Sequence, residues 1–146
     1  QWLDDKTYHS VFTKTPRICV DLLLFKDNGF FLINRGIEPF KGTWAFPGGR
    51  VYHGERVINT IDRVASEEIG VNCSNPTYFG FIEMPADGEF LHSISLVFIT
   101  RVVSKNVNKS FRGGEIKLFN YIPDNMQPYQ ETFLKERWNE VLKNLG

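Results

Sequence analysis

A chain of 146 residues with 42% hydrophobic residues, 13 Phe among them, can bury a sizeable core and is too apolar to remain disordered. Its 17 Lys plus Arg against 17 Asp plus Glu remove any global charge argument for binding nucleic acid or a membrane surface, so a polyanionic ligand would have to be held locally. No apolar run reaches the roughly 18 residues of a membrane span, the start lacks a signal peptide's basic-then-apolar order, and Cys19 and Cys73 show no CxxC spacing; a cytoplasmic chain with reduced, structural thiols is expected.

Along the chain, "LDDKTYHSVFTKTP" carries Asp residues able to cap a helix and ends at Pro16, which predicts a short helix containing His9. "RICVDLLLF", the turn signal "KDNG" and "FFLINR" predict a β-hairpin. Glycines and prolines then punctuate "GTWAFPGGRVYHG", so strand pieces and a glycine loop, with His53 near its end, should lead into a helix over Glu55–Ile69. Three further strands are expected in "PTYFGFIEM", "HSISLVFITRVV" and "EIKLFNYI", and a last helix from Pro128 toward Gly146. No repeat or linker divides the chain. One domain over residues 1–146, of α/β (α+β) class and arranged as an α/β/α sandwich around a mixed sheet, fits this order.

At about 100° per residue, Val57, Ile58, Ile61, Val64, Ala65 and Ile69 fall on one face of the middle helix. Glu68 falls within that stripe, where a carboxylate is costly unless paired or coordinated. Glu67 lies at its edge, and Arg63 can meet it at i,i+4. Adjacent carboxylates repel each other, and a divalent cation would relieve this. Helix geometry leaves two readings open: a cation site, or a solvated helix end. The glycines of "FPGGRVYHGE" allow backbone groups to approach a ligand closely just before this helix.

Gly49, five residues, Glu55, seven residues, Arg63, and then Glu67-Glu68-x-Gly70-Val71 resembles the Nudix box, G-x5-E-x7-R-E-U-x-E-E-x-G-U with U aliphatic. Six fixed positions over 23 residues match, in the expected strand-loop-helix setting. The resemblance implies a hydrolase that uses Mg²⁺ or Mn²⁺ to cleave a nucleoside diphosphate linked to another group. It implies Glu67 and Glu68 as metal carboxylates and the Gly49 carbonyl as a further ligand. Glu55 and Arg63 would hold loop and helix together or support the metal site, which places Arg63 in the catalytic machinery. Hard oxygen donors suit Mg²⁺, and the ion would offset diphosphate charge and acidify a bound water. Val64 stands where the box expects Glu. Either the base comes from elsewhere in the chain or the fold is kept for binding.

From Leu3 to Val71 the chain is also similar to the GDP-mannose mannosyl hydrolases, a Nudix group that likewise lacks the Glu after the Arg. "TPRICVDLLLF" and "NRGIEPFKGTWAFPGGRV" carry this likeness. It implies Asp21, Arg35 and Arg50 as substrate-site residues, and a homodimer. Asp21 interrupts an apolar strand and should accept hydrogen bonds from a base edge or an Arg. Arg50 follows the glycine loop, where its fork could grip a diphosphate. A structural ion pair is the competing reading for each. The group's late loop supplies a His base and a Gln; "SFRGGEIKLF" here has neither, and Glu115 is the nearest carboxylate, either a base or an exposed turn residue. His92, at the start of a strand, is the other catalytic candidate or a hydrogen-bonded strand-end imidazole. Three functions follow: hydrolysis of a nucleotide sugar such as GDP-mannose to GDP and sugar, P–O cleavage of a nucleoside triphosphate or ADP-ribose, and nucleotide binding without catalysis.

Overall fold

The computed structural model describes residues 3–38, 40–87, 90–105 and 114–145; residues 110–113 of the late loop and Gly146, the expected end of the last helix, lie outside them. Helix α1 (Asp5–Phe12) starts where Asp4 caps it, accepting the Thr7 N–H at 2.7 Å. Strands β1 (Arg17–Lys26) and β2 (Gly29–Asn34) form the expected hairpin, with Asp27 at φ 54° in its turn. They pair only at the hairpin end, Phe25 with Phe30 and Lys26 with Gly29. Farther from the turn, the segment after β2 takes up the free edges. It pairs first with β2, as β3 (Trp44–Ala45), and then with β1, as β4 (Gly48–Arg50). The glycine loop is thereby fixed beside the first half of β1.

Strand β6 (Ser93–Lys105) lies parallel to β1 on its other side, β5 (Val71–Met84) runs antiparallel to β6, and β7 (Ile116–Phe119) pairs with β2. The seven strands form one mixed sheet. Strand β5 starts five residues earlier than "PTYFGFIEM" suggests, because register shifts and Asn75 at φ 56° carry the pairing through a stretch with no clean alternation. Strand β7 is shorter than "EIKLFNYI".

The alternation of β1 builds the layers. Val20, Leu22 and Leu24 pack with Ile61, Val64 and Ala65 of the middle helix, whereas Leu23 and Phe25 pack with Phe133, Leu134 and Val141 of α3 (Pro128–Leu142). One helix covers each face, which is the expected α/β/α sandwich. The middle helix departs from its expected winding. Helix α2 runs only over Val57–Val64, and Ala65–Ile69 continues as a π turn that closes when the Gly70 N–H donates to Ala65 O and Ser66 O, both at 3.0 Å. Gly70, at φ 79°, caps it in the left-handed conformation. The wider turn shifts the helical phase after Val64, so that Ser66 is buried and Glu68 only half-buried; earlier in α2, Ile58 stands exposed rather than on the buried face.

Candidate active site

A cavity of about 700 Å³ opens at the β1–β4 junction, and its wall includes Asp21, Arg35, Gly49, Arg50 and Glu68. Asp21 and the Gly49–Arg50 segment, far apart in the chain, are brought together because β4 pairs Gly48 with Asp21, Gly49 with Val20 and Arg50 with Cys19. Close approach requires Gly48 and leaves little room for a side chain at Gly49. A Cβ on Gly48 would collide with the Asp21 carboxylate and come within 2.9 Å of the Val20 carbonyl, and one on Gly49 would meet Val64 Cγ2 at 3.1 Å.

Arg63 fastens the loop to the helix. Its Nε donates to Glu55 Oε2 at 2.8 Å, its Nη2 to Glu55 Oε1 at 3.1 Å and to the Arg50 carbonyl at 2.7 Å, and its Nη1 reaches Glu67 at 3.4 Å. The guanidinium also lies 3.8 Å from the Tyr52 ring centre. Glu55 accepts further hydrogen bonds from the Tyr52 N–H and the Thr60 hydroxyl. The Arg63 hydrogen bonds, aided by these two, hold the Glu55 carboxyl down at about 2. Arg63 therefore acts on the site by positioning Arg50 and Glu67.

Asp21 behaves in the opposite way. Burial pushes its carboxyl up to about 6, although the nearby Ser95 hydroxyl, the Arg35 charge and the Gln130 amide favour the ionised form. Gln130 Nε2 donates to Asp21 at 3.4 Å while its Oε1 accepts the Phe46 N–H at 2.8 Å, so α3 braces both the acid and the loop. Burial also lowers the Arg35 pKa, against the opposing charges of Asp21, Glu68 and Glu38. Cys19 lines the cavity floor, and burial together with Asp21 pushes its thiol up to about 11, which leaves it unreactive; both cysteines are free.

The oxygen donors available for a cation are the Glu67 and Glu68 carboxylates and the Gly49 backbone beside them. No three acidic, His or Cys side chains converge among the described residues. Glu68 and Gly49 line the cavity, and Glu67, the neighbour of Glu68, is held by Arg63; such oxygen donors suit a hard cation that keeps waters and takes further oxygens from a phosphate. Val64 supplies nothing to that set: it is 1% exposed, within the apolar cluster under α2.

Glu115 is exposed, but its backbone anchors the end of the late loop, accepting the Asn34 N–H at 2.8 Å, and the adjacent Gly114 lines the cavity. His92 lies elsewhere. Its Nε2 is 2.7 Å from Glu83 Oε2, and with His9 it lines a second cavity of about 360 Å³. His53 is exposed in the glycine loop.

Several wall residues escaped sequence reasoning: Tyr8, Arg17, Phe40, Ser93, Ser95 and Gln130. Two signals were present. Arg17, Cys19 and Asp21 occupy alternate positions of β1, as Ser93 and Ser95 do on β6, a polar stripe within apolar strands. Phe40, held at φ 62° and stacked on Phe90 at 5.1 Å between ring centres, had no such signature.

A NUDIX domain match covers residues 15–138. The chain belongs to the Nudix family. Among its relatives, the low-salt glycan biosynthesis protein Agl8 of Haloferax volcanii is 27% identical over 138 residues, 90% of this chain and 88% of that protein. An ADP-ribose pyrophosphatase of Methanocaldococcus jannaschii is 37% identical over 102 residues, 70% of this chain. The matched region spans 55% of that pyrophosphatase. The crystal structure of a MutT NUDIX hydrolase from Burkholderia pseudomallei superposes with a TM-score of 0.72 at 20% identity, covering 83% of this chain and 97% of that one, and shares the fold. This Nudix chain is thus a hydrolase by family, with its box laid across β4, α2 and the π turn.

Proposed function

We propose that this Nudix hydrolase cleaves nucleoside diphosphate derivatives, with a nucleotide sugar such as GDP-mannose as favoured substrate and GDP and sugar as products. The observation that carries this reading is the single cavity in which Glu68 and Gly49 face Arg35, Arg50 and Asp21. Such a wall sets oxygen donors for a cation beside guanidinium groups that match phosphate oxygens. Glu67, Glu68 and the Gly49 carbonyl would hold Mg²⁺ or Mn²⁺, and the ion supplies charge compensation for the diphosphate and acidifies water. Arg50 and Arg35 orient the diphosphate and stabilise the charge that grows on it as the leaving group departs. Asp21, at neutral pH an acceptor, would hold hydroxyl or N–H donors of the substrate. Since Val64 offers no base, water attack on the anomeric carbon, which requires a good leaving group more than a strong base, suits this site.

A second reading, P–O cleavage of ADP-ribose or a nucleoside triphosphate, is supported by the 37% identical ADP-ribose pyrophosphatase. There Glu115 would serve as base, carried by a loop whose end is tied to the cavity rim at Asn34. Hydrolysis in ¹⁸O-labelled water separates the two. Label in the released sugar is the expected result, whereas label in phosphate overturns C–O cleavage in favour of the second reading. If no nucleotide sugar or triphosphate is turned over with Mg²⁺ present, but one is bound tightly, the domain is a binder and both readings fail.

A further inference from the structure

The cavity floor has two chemically different ends. Along β1, Arg17, Cys19 and Asp21 face it from alternate positions, and Arg17 and Cys19 pair with Ser93 and Ser95 of β6. Arg17 and Asp21 are four residue steps apart along the strand, about 13 Å at 3.3 Å per residue. The Gly49–Arg50 segment joins the floor between them, opposite Val20 and Cys19.

Arg17 is held unusually for a cavity arginine. Its Nε and Nη2 donate to Ser93 Oγ at 3.0 and 2.5 Å, and its Nη1 donates to the Tyr8 hydroxyl at 2.8 Å. These acceptors are neutral, so among the described residues no carboxylate balances this charge. The Tyr8 ring at the same time lies 5.8 Å from the Arg50 guanidinium, with Phe12 at 5.2 Å and Tyr52 at 5.0 Å. Helix α1, all of it N-terminal to the matched NUDIX region, thus orients two cations at one end of the cavity. A third, Arg35, stands close enough for Arg17 to disfavour its charged form. Arg35 is offset in part by Asp21 and Glu68, but like charges brought together on one cavity wall still cost free energy that an anion recovers. One pair along the floor, the buried Ser95 hydroxyl favours the ionised form of Asp21, so the neutral hydroxyls of β6 serve the acid at one end of the cavity and Arg17 at the other.

We infer that Arg17 is a specificity-determining residue, selecting nucleoside diphosphate derivatives that carry one further oxyanion, a third phosphate or a sugar carboxylate, at the end of the cavity opposite Asp21, which narrows the proposed class to members more charged than GDP-mannose itself. The inference rests on the nucleotide-site reading above. Arg35 shares its charge with Asp21 and Glu68, and Arg50 adjoins the loop that meets the diphosphate. Arg17, pinned by hydroxyls, keeps its charge for a group beyond the diphosphate.

Calorimetric Kd values, measured with EDTA to stop turnover, test this with two ligand pairs: a nucleoside triphosphate against its diphosphate, and a nucleoside diphosphate hexuronate against the matching neutral hexose derivative. Wild type should prefer the more charged member of one pair by roughly tenfold, as a charge-assisted hydrogen-bonded contact supplies. The pair that shows it identifies the oxyanion as phosphate or carboxylate. Arg17→Gln should bring that ratio close to one, Arg17→Lys should retain most of it, and Tyr8→Phe should reduce it by freeing the guanidinium while keeping the ring beside Arg50. Retention by the Lys variant separates lost charge from a folding defect. Equal affinities within both pairs, or an unchanged ratio in Arg17→Gln, overturns the inference and leaves the nucleotide site standing. Failure of wild type to bind any of the four ligands, both with EDTA and with Mg²⁺ present, overturns both.

Discussion

Asp21 and Glu68 are acids on the wall of one cavity, and their surroundings assign them different work. Asp21 sits between Gly48 and Gln130 on the strand floor, where burial raises its carboxyl to about 6. A folded-state pKa above the unfolded value of 3.8 stabilises the native state below pH 3.8, and that contribution is lost as pH rises through about 6. In urea titrations of wild type and Asp21→Asn, the difference between them should move against wild type from pH 4 to pH 7, by no more than about 3 kcal/mol, the equivalent of the shift from 3.8 to about 6. A pH-independent difference would contradict the assigned shift. Glu68, by contrast, is a proposed cation ligand, and Glu68→Gln should lower kcat at least about a hundredfold, since even groups that only support a ligand cost 10–100-fold. The variant should unfold at the same temperature as wild type without metal, and near-normal turnover would refute the assignment. Val64, one turn earlier, is packed against Gly49 and cannot carry a carboxylate's role.

The π turn is what places Glu67 and Glu68. Regular α winding would lay Glu68 among the apolar residues facing the sheet, where it could be neither solvated nor shared. One wider turn buries Ser66 instead and leaves Glu68 at the cavity wall. The turn is braced from outside by the Arg63 network, in which Glu55 is the main acceptor. Its carboxyl, depressed to about 2 from 4.5, contributes stability that is present above pH 4.5 and lost as pH falls toward 2. Glu55→Gln should therefore destabilise the domain by on the order of 2 kcal/mol at pH 7, the range of a hydrogen bond to a charged group. The gap should shrink below pH 4.5 and close near pH 2, as followed by denaturant unfolding. A gap that survives to pH 2 would mean that the bonds do not depend on the Glu55 charge.

At the scale of the whole molecule, the cavity exists because β1 and β2 part company and the segment from Trp44 to Arg50 fills the space between them. Helix α3 then closes one side through Gln130, and α1 the other through Tyr8. Since a cation bound at Glu67 and Glu68 would bind the folded chain alone, Mg²⁺ at about 100 times its Kd should stabilise the protein by about 2.7 kcal/mol. A thermal scan should show Tm rising with Mg²⁺ in wild type and flat in Glu68→Gln. An equal rise in both would place the ion elsewhere.

What could be read from the chain alone was local or periodic. Dense apolar runs located β1 and β2, turn chemistry located the hairpin, and the spacing from Gly49 to Gly70 identified the family and singled out the two glutamates as candidates. Such features depend on residues within a few turns of one another, whose geometry is set by backbone period and sterics. Tertiary structure decided the rest. The π turn over Ala65–Ile69 has no signature in the residue pattern that the regular helix was read from. The meeting of Arg17, Asp21 and Ser95 needs the parallel β1–β6 register, which no neighbouring residues encode. The bond from Tyr8 to Arg17 and the one from Gln130 to Asp21, 109 residues apart, arise only when helices close on the sheet, because side-chain contacts across layers depend on where whole elements dock.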